Sequence, residues 1–170
     1  MSLANHHLKA LGHRDADAAL DKAEQYRALN EPEEADSICR DVLEESPDNQ
    51  RAIRTLGLAV TDRFAHEWTA LFDEALAVFR RLASAYERVY YAGVAWERCA
   101  KAQLAGKQLH NAAHSFERAM EHFAEAEKIG PKDAPDPILR WNRCVRAIAA
   151  HPELVEAAER PRNHEFQHGD

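Results

Sequence analysis

The sequence contains little cysteine, glycine or proline, and positive charge does not predominate. Its three cysteines, Cys39, Cys99 and Cys144, are far apart and odd in number, which excludes a disulfide framework and a CxxC metal or redox motif. Six glycines and seven prolines in 170 residues leave little room for a turn-rich β protein. With 22 Lys and Arg against 29 Asp and Glu, the net charge of −7 argues against nucleic-acid binding over the whole surface.

Long hydrophobic runs are also missing. No stretch approaches the roughly 20 apolar residues that span a bilayer, and the first seven residues lack the basic and apolar regions of a signal peptide. We therefore expect a cytoplasmic protein without a membrane span. A chain of 170 residues allows one domain or one short array of repeats, and 45% hydrophobic residues are enough to build a core.

What the sequence does contain is alanine, flanked by Glu, Lys, Arg, Leu and Gln. These residues lose little free energy on entering a helix. Breaking residues divide the chain into segments of helix length, at positions 31–32, 46–49, 106, 130–131, 135–137 and 151–152. Within the segments, apolar residues recur at spacings of three and four, which predicts amphipathic helices joined by short turns. The expected fold class is all-α.

A small residue recurs at a nearly constant interval in the first helix of each predicted pair. Ala23, Gly57 and Gly93 are separated by 34 and 36 residues, which indicates a repeat of about 34 residues. Small residues in the second helices are Ala35, Ala75 and Ala112. Small side chains let two helix backbones approach closely while larger residues fill the neighbouring layers. The pattern predicts helix pairs that pack in series.

The first of these pairs resembles the tetratricopeptide repeat. The pattern of that family places Leu-Gly and Tyr in the first helix, then Ala, an aromatic residue and Ala in the second helix, and closes on Pro. Residues 16–49 supply Ala23, Tyr26, Ala35 and Pro47 at these places. The resemblance implies a right-handed superhelical stack of antiparallel helix pairs.

The resemblance also divides the chain into segments. They are an N-terminal segment 1–15 with room for a short helix, a repeat domain 16–150, and a short helix with a disordered tail in 151–170. Within the repeat domain we expect units at 16–49, 50–85 and 86–131 and a capping helix at 137–150. The second unit needs about six extra residues between its helices, and the third has helices longer than the repeat pattern.

In proteins of this family, outward positions of the first helices line a concave groove that binds another polypeptide. The resemblance places eight residues of this chain in the groove: Arg51, Arg54, Leu58, Tyr90, Glu97, Lys101, Arg143 and Arg146. Arginine binds carboxylates through two parallel hydrogen bonds, so an acidic or C-terminal peptide is the ligand hypothesis. We therefore expect a non-catalytic adaptor or scaffold that binds another protein, with no cofactor and no nucleic-acid or membrane partner.

Two histidine patterns suggest a metal-binding protein or a small metal-dependent enzyme as an alternative. His110 and His114 lie four residues apart on one predicted helix, so a carboxylate from a second helix could complete a metal site. Residues 164–168 spell the HExxH string of zinc hydrolases. A polar helix face explains the first pattern and a disordered tail explains the second, so we expect neither to bind metal.

A second alternative is a homo-oligomer, such as a homodimer, formed through the aromatic third unit. The residues concerned are Tyr86, Tyr90, Tyr91 and Trp96. Core packing between the long helices of that unit explains the same residues.

Overall fold

The computed structural model describes residues 6–12 and 14–159. These residues form eight helices and no strand, which confirms the all-α fold class. The helices are α1 (Ala16–Ala28), α2 (Pro32–Glu45), α3 (Gln50–Asp62), α4 (Phe64–Arg80), α5 (Ala85–Ala105), α6 (Leu109–Ile129), α7 (Asp136–Ala149) and α8 (Pro152–Glu159). Within the described ranges, no helix combines the length and apolar character needed to cross a membrane.

Local sequence signals determine where several helices begin. The side chains of Asp15, Asn49 and Ser84 accept hydrogen bonds from backbone N–H groups in the first turns of α1, α3 and α5. Pro32 occupies the first position of α2, where its missing N–H is not needed. In the short turn between α1 and α2, Asn30 adopts a φ of 61°, a left-handed conformation in which asparagine is enriched.

The second unit differs from the sequence-based expectation. A single residue, Arg63, separates α3 from α4, so the predicted insertion between these helices is absent. The extra residues instead lengthen α4, which spans 17 residues. Phe64 at its start is fully buried and its ring centroid lies 6.1 Å from that of Phe72, so burial of this ring favours helix over loop. The third unit has the expected long helices, since α5 and α6 contain 21 residues each.

The helices pack in series. Each helix from α1 to α7 contacts the next along the chain, and contacts also join α1 to α3, α3 to α5 and α5 to α7. In the described part of the chain, α2, α4 and α6 make no such contacts with one another. We call α1, α3, α5 and α7 the inner helices and α2, α4 and α6 the outer helices. The short α8 packs mainly on α6.

The small residues singled out in the sequence are buried where helices meet. The four alanines are fully buried: Ala23, Ala35, Ala75 and Ala112. Gly57 lies against the ring of Phe79. A Cβ atom added at Gly57 would come within 2.3 Å of the Cε1 atom of Phe79. Gly93 lies in the same way against Phe123, with a corresponding distance of 2.8 Å. Glycine at these positions permits a helix approach that a larger residue would prevent.

The core consists of two clusters that meet at α5. One contains residues of α1 to α4 together with Leu82, Ala95 and Cys99. The other contains residues of α6 to α8 together with Val94 and Ala100. Because α5 contributes to both clusters, it is the helix that joins the two halves of the molecule.

Candidate binding groove

Three adjoining cavities follow α5, and each is lined in part by this helix. The tyrosine cavity, of about 290 Å³, is lined by Arg27, Leu58, Tyr86, Glu87, Tyr90, Tyr91, Arg98, Asp136 and Arg140. The middle cavity, of about 370 Å³, is lined by Asp62, Ala65, Arg98, Lys101, Ala102 and Ala105. The terminal cavity, of about 620 Å³, is lined by Lys101, Leu104, Ala105, Lys107, Leu109, His151 and Glu153.

Shared lining residues make these cavities neighbours. Arg98 belongs to the tyrosine and middle cavities, and Lys101 and Ala105 belong to the middle and terminal cavities. We call the three together the α5 groove. From Tyr86 to Ala105 the helix rises by about 28 Å at 1.5 Å per residue. An extended peptide of about eight residues has the same length.

The tyrosine cavity combines aromatic surface with hydroxyl groups. The rings of Tyr86 and Tyr90 stack at 5.9 Å, and Tyr91 meets Tyr90 edge-on at 5.0 Å. Tyr91 also stacks on the buried Phe79 at 5.2 Å. Burial raises the pKa of Tyr86 and of Tyr91, so both hydroxyls stay protonated at neutral pH and can donate hydrogen bonds.

An ion-pair cluster joins three inner helices at the boundary of the tyrosine and middle cavities. Arg27 of α1 donates from Nε to Asp62 Oδ2 of α3 at 2.6 Å. Arg98 of α5 donates from Nη1 to the same carboxylate, to the hydroxyl of Thr61 and to the carbonyl oxygen of Leu58. Burial lowers the pKa of Arg98, and the charge of Asp62 opposes that effect. The cluster holds two guanidinium groups at the groove wall.

A second ion-pair cluster lies beneath the groove around Glu97. This side chain is fully buried on α5 and accepts hydrogen bonds from Lys101 of the same helix and from Arg140 Nη1 of α7, the latter at 3.0 Å. Burial alone would lower the pKa of Arg140, but the charge of Glu97 and a hydrogen bond with Tyr90 raise it overall. Glu97 therefore fixes α7 to α5 and holds Arg140 at the tyrosine cavity.

The structure brings some of the predicted groove residues together. Leu58 and Tyr90 line the tyrosine cavity, and Lys101 lines the other two cavities. Glu97 lies beneath the groove as described above. Arg54 is near its edge, where Nη2 lies 2.6 Å from Glu87 Oε1.

The other predicted arginines lie elsewhere. Arg51 lines none of the three cavities and instead faces α1, where it pairs with Asp21 at 2.6 Å and Glu24 at 2.9 Å. Arg143 and Arg146 are exposed on α7, and neither lines a cavity of the groove.

Sequence reasoning missed Arg98 and Arg140 as groove residues. On α7 the large apolar residues Ile138, Trp141 and Val145 recur at helical spacing, yet these three side chains are exposed. The buried residues of this helix are Pro137, Cys144 and Ala147. Small residues at 144 and 147 allow α7 to approach α6 closely. Their spacing of three is the sequence signal that identifies the buried face of α7. When this face is buried, Arg140 lies at the tyrosine cavity.

The predicted metal candidates do not form a cluster. His110 Nδ1 lies 3.1 Å from the carbonyl oxygen of Ala157 in α8. His114 meets the ring of Trp96 edge-on, with centroids 6.1 Å apart. Among residues 6–12 and 14–159, no group of three His, Cys, Asp or Glu side chains is arranged to hold a metal ion. The HExxH string at 164–168 lies outside the described residues.

The cysteines offer no nucleophile at neutral pH. All three are buried, and burial raises the pKa of Cys39 and Cys144 to about 12 and that of Cys99 to about 11. Their thiols therefore stay protonated and behave as small apolar groups.

Comparison with family models and curated proteins gives no relative from which a function could be transferred. No family model matches the chain, and no curated protein is significantly similar to it. The chemistry of the α5 groove is therefore argued from its own geometry.

Proposed function

We propose that this chain is a non-catalytic protein–protein interaction module, built as a tetratricopeptide-like stack, whose α5 groove binds an extended acidic segment of another protein. The stack is supported by the 34- and 36-residue intervals between Ala23, Gly57 and Gly93, all of them buried. The serial contacts between inner helices support it as well. In such a stack the inner helices line the concave face, and the groove is lined mainly by them.

The observation that carries the proposal is the set of guanidinium groups that Asp62 and Glu97 hold at the groove wall. Five cationic side chains line the groove against four carboxylates, and the buried Glu97 beneath it adds a fifth carboxylate, so the groove is close to neutral while the whole chain has a net charge of −7. The cations are Arg27, Arg98, Lys101, Lys107 and Arg140; the carboxylates are Asp62, Glu87, Asp136 and Glu153. On a chain that is acidic as a whole, the groove is therefore a place where a segment that carries carboxylates meets little repulsion.

The guanidinium groups keep donors for a ligand. Arg98 makes all its hydrogen bonds to described residues through Nη1, and Arg140 uses Nη1 for Glu97. Each guanidinium carries five N–H donors. A ligand carboxylate can thus bind without displacing Asp62 or Glu97, while Tyr86 and Tyr90 supply aromatic contact and hydroxyl groups.

Peptide-display selection against the full chain tests this proposal. We expect the selection to enrich peptides rich in Asp and Glu. These peptides should bind the double variant Arg98→Gln/Arg140→Gln at least tenfold more weakly, because two charge-assisted hydrogen bonds are lost. The variant is suited to the test because each carboxylate still has a cationic partner. Asp62 still pairs with Arg27, and Glu97 still pairs with Lys101.

The matched control removes the same charge from the outer helices. Arg80→Gln/Arg118→Gln changes α4 and α6, where these arginines line a separate cavity with Trp96. Acidic peptides should bind this control as they bind the unmodified chain. Enrichment of basic peptides, or equal loss of binding in the two double variants, would contradict the groove assignment.

A further inference from the structure

Another cavity, of about 270 Å³, lies between α4, α5 and α6. We call it the outer cavity. Its part of α5 consists of Arg88, Ala92 and Trp96. Their spacing of four places them along one side of the helix, nearly opposite to the α5 residues that line the groove. The outer cavity is therefore separate from the α5 groove.

The outer cavity is lined by cationic side chains without a carboxylate. Arg80 of α4, Arg88 of α5 and Arg118 of α6 line it. No Asp or Glu side chain in the described part of the chain does so, whereas each cavity of the α5 groove is lined by at least one carboxylate. A chain with a net charge of −7 thus places three arginines around one small volume.

Two of the three arginines have no carboxylate partner among the described residues. Only Arg118 forms an ion pair, through Nη1, with Glu121 one turn away. Arg88 donates from Nη1 to the carbonyl oxygens of Leu82 at 2.7 Å and Ala83 at 2.9 Å. These bonds orient the guanidinium group but leave its charge without an anion. Nε and Nη2 of both groups keep N–H donors for a ligand.

Aromatic and aliphatic side chains supply much of the remaining lining, and Trp96 helps to position Arg118. Phe72 meets the Trp96 ring edge-on with centroids 4.6 Å apart, which fixes the indole. Cζ of Arg118 lies 5.9 Å from the centroid of the Trp96 ring, within the range of a cation–π contact. The apolar lining residues are Leu76, Phe79, Ala92 and Trp96.

His122 of α6 also lines the outer cavity and reports on its occupancy. Burial lowers the pKa of His122, and the charge of Arg118 lowers it further, while the charge of Glu121 opposes both effects. The ring is therefore neutral at neutral pH, with one N–H donor and one acceptor nitrogen. An anion bound beside it favours the charged ring and raises this pKa.

Three guanidinium groups around a small cavity match a phosphate monoester better than a carboxylate. At neutral pH a phosphate monoester carries a charge of about −1.5 to −2 and presents three acceptor oxygens. A carboxylate has a single charge and two oxygens. The volume of about 270 Å³ is below the roughly 300–1,000 Å³ of sites that enclose whole small molecules. A phosphate group therefore fits while most of its carrier stays outside.

The surrounding charge favours a single phosphate group over a surface with many phosphates. Asp73 of α4 and Glu121 and Glu125 of α6 lie three or seven residues from the arginines of the cavity and are exposed. These carboxylates repel a nucleic acid or an anionic membrane. One phosphorylated side chain on a protein segment reaches the arginines without bringing further phosphates against them.

We propose that the outer cavity binds the phosphate group of a phosphorylated Ser, Thr or Tyr side chain of another protein. Arg80, Arg88 and Arg118 pair with the phosphate oxygens, and the apolar lining contacts the side chain that carries the phosphate. This inference does not depend on the α5 groove, because the two sites share no residue.

Degenerate peptide libraries test the proposal with the full chain in phosphate-free buffer. Three libraries carry a fixed central phosphoserine, phosphothreonine or phosphotyrosine, and we expect at least one of them to yield binding sequences. By fluorescence anisotropy, a selected peptide should bind at least tenfold more tightly than its unphosphorylated form and than the form with Glu in place of the phosphorylated residue. The pKa of His122, measured by NMR, should rise when the phosphorylated peptide binds.

Two double variants connect this binding to the outer cavity. Arg80→Gln/Arg118→Gln should weaken the phosphorylated peptide at least tenfold, because two of the three arginines are lost. Arg143→Gln/Arg146→Gln removes the same charge from exposed positions of α7 that line neither site, and it should leave binding unchanged. Circular dichroism checks that each variant is folded.

Several results would overturn the proposal. They include failure of all three phosphorylated libraries and equal binding of the phosphorylated and Glu forms. Loss of binding in Arg98→Gln/Arg140→Gln but not in Arg80→Gln/Arg118→Gln would place the phosphorylated peptide in the α5 groove. Inorganic phosphate that raises the pKa of His122 at concentrations as low as the peptide does would identify the free ion as the ligand instead.

Discussion

Glu97 carries a carboxylate into the interior of the molecule, where it has no exposure to solvent. Moving a carboxylate out of water costs several kcal/mol unless cations and hydrogen bonds compensate. The compensation comes from Lys101 and Arg140, whose side chains remain 39% and 33% exposed. Loss of the two cations should therefore destabilise the folded chain more than loss of the Glu97 carboxylate.

This asymmetry leads to a stability prediction. Lys101→Met/Arg140→Met leaves Glu97 buried without a cation and should lower the free energy of unfolding by about 3 kcal/mol. Glu97→Met leaves two cations that can turn to water and should cost less than about 1 kcal/mol. Urea unfolding at neutral pH, followed by circular dichroism, measures both. Equal losses in the two variants would contradict this description of Glu97.

The two buried glycines show how single residues control the distance between helices. Gly57 of α3 accepts the ring of Phe79 from α4, and Gly93 of α5 accepts Phe123 from α6. Each glycine thus permits the close contact within its own helix pair. Both phenylalanines are buried, so their rings have little space into which they could move.

At the level of the helix pair, enlarging these glycines should separate the helices. Gly57→Ala should lower the free energy of unfolding by about 1–3 kcal/mol, because overpacking outweighs the helix propensity that alanine gains. Gly106→Ala is the matched control, since the nearest atom to its added Cβ lies 3.5 Å away. The control should change stability by less than about 0.5 kcal/mol. If both variants are equally stable, Gly57 is not a packing requirement.

The helices themselves are largely predictable from the sequence, because breakers and caps are local signals. Asp15, Asn49 and Pro32 identify helix starts without any knowledge of the tertiary structure. The join between α3 and α4 is less predictable. No Gly or Pro lies near Arg63, and a helix starts there because Phe64 becomes buried in the core.

The rotation of α7 shows why the candidate site is harder to predict than the fold. This helix has two apolar stripes, one of large residues and one of small residues, and periodicity alone favours the larger. Packing favours the smaller, since Cys144 and Ala147 permit close contact with the rest of the molecule. As a result, Arg140 faces the α5 groove where the sequence suggested Arg143 and Arg146.

Ion pairs between helices are equally difficult to predict from local patterns. Arg51 and Asp21, for example, pair although they lie 30 residues apart along the chain.

At the scale of the whole molecule, the buried thiols should make stability fall at alkaline pH. The pKa of Cys39 and of Cys144 is raised to about 12 in the folded state, whereas an unfolded thiol titrates near about 8.5. Above that pH the folded chain retains protons that the unfolded chain has lost, so the free energy of unfolding decreases as pH rises. We expect a loss of about 2 kcal/mol per thiol between about pH 8.5 and 10.

Urea unfolding across this pH range measures the effect. Cys39→Ala/Cys144→Ala should show a clearly smaller slope of stability against pH, with Cys99 left to titrate. A flat profile for the unmodified chain, or the same slope in the double variant, would mean that the thiols are not buried as described.

The central claim concerns the α5 groove, which extends past both ion-pair clusters and depends on the serial packing of the inner helices. The most direct test is NMR chemical-shift mapping of an isotopically labelled full chain, titrated with an acidic peptide obtained by selection against it. We predict that the largest shift changes fall on groove residues such as Leu58, Tyr90, Arg98 and Lys101. Changes concentrated instead around Arg80 and Arg118 on the outer helices, or no change at saturating peptide, would contradict the claim.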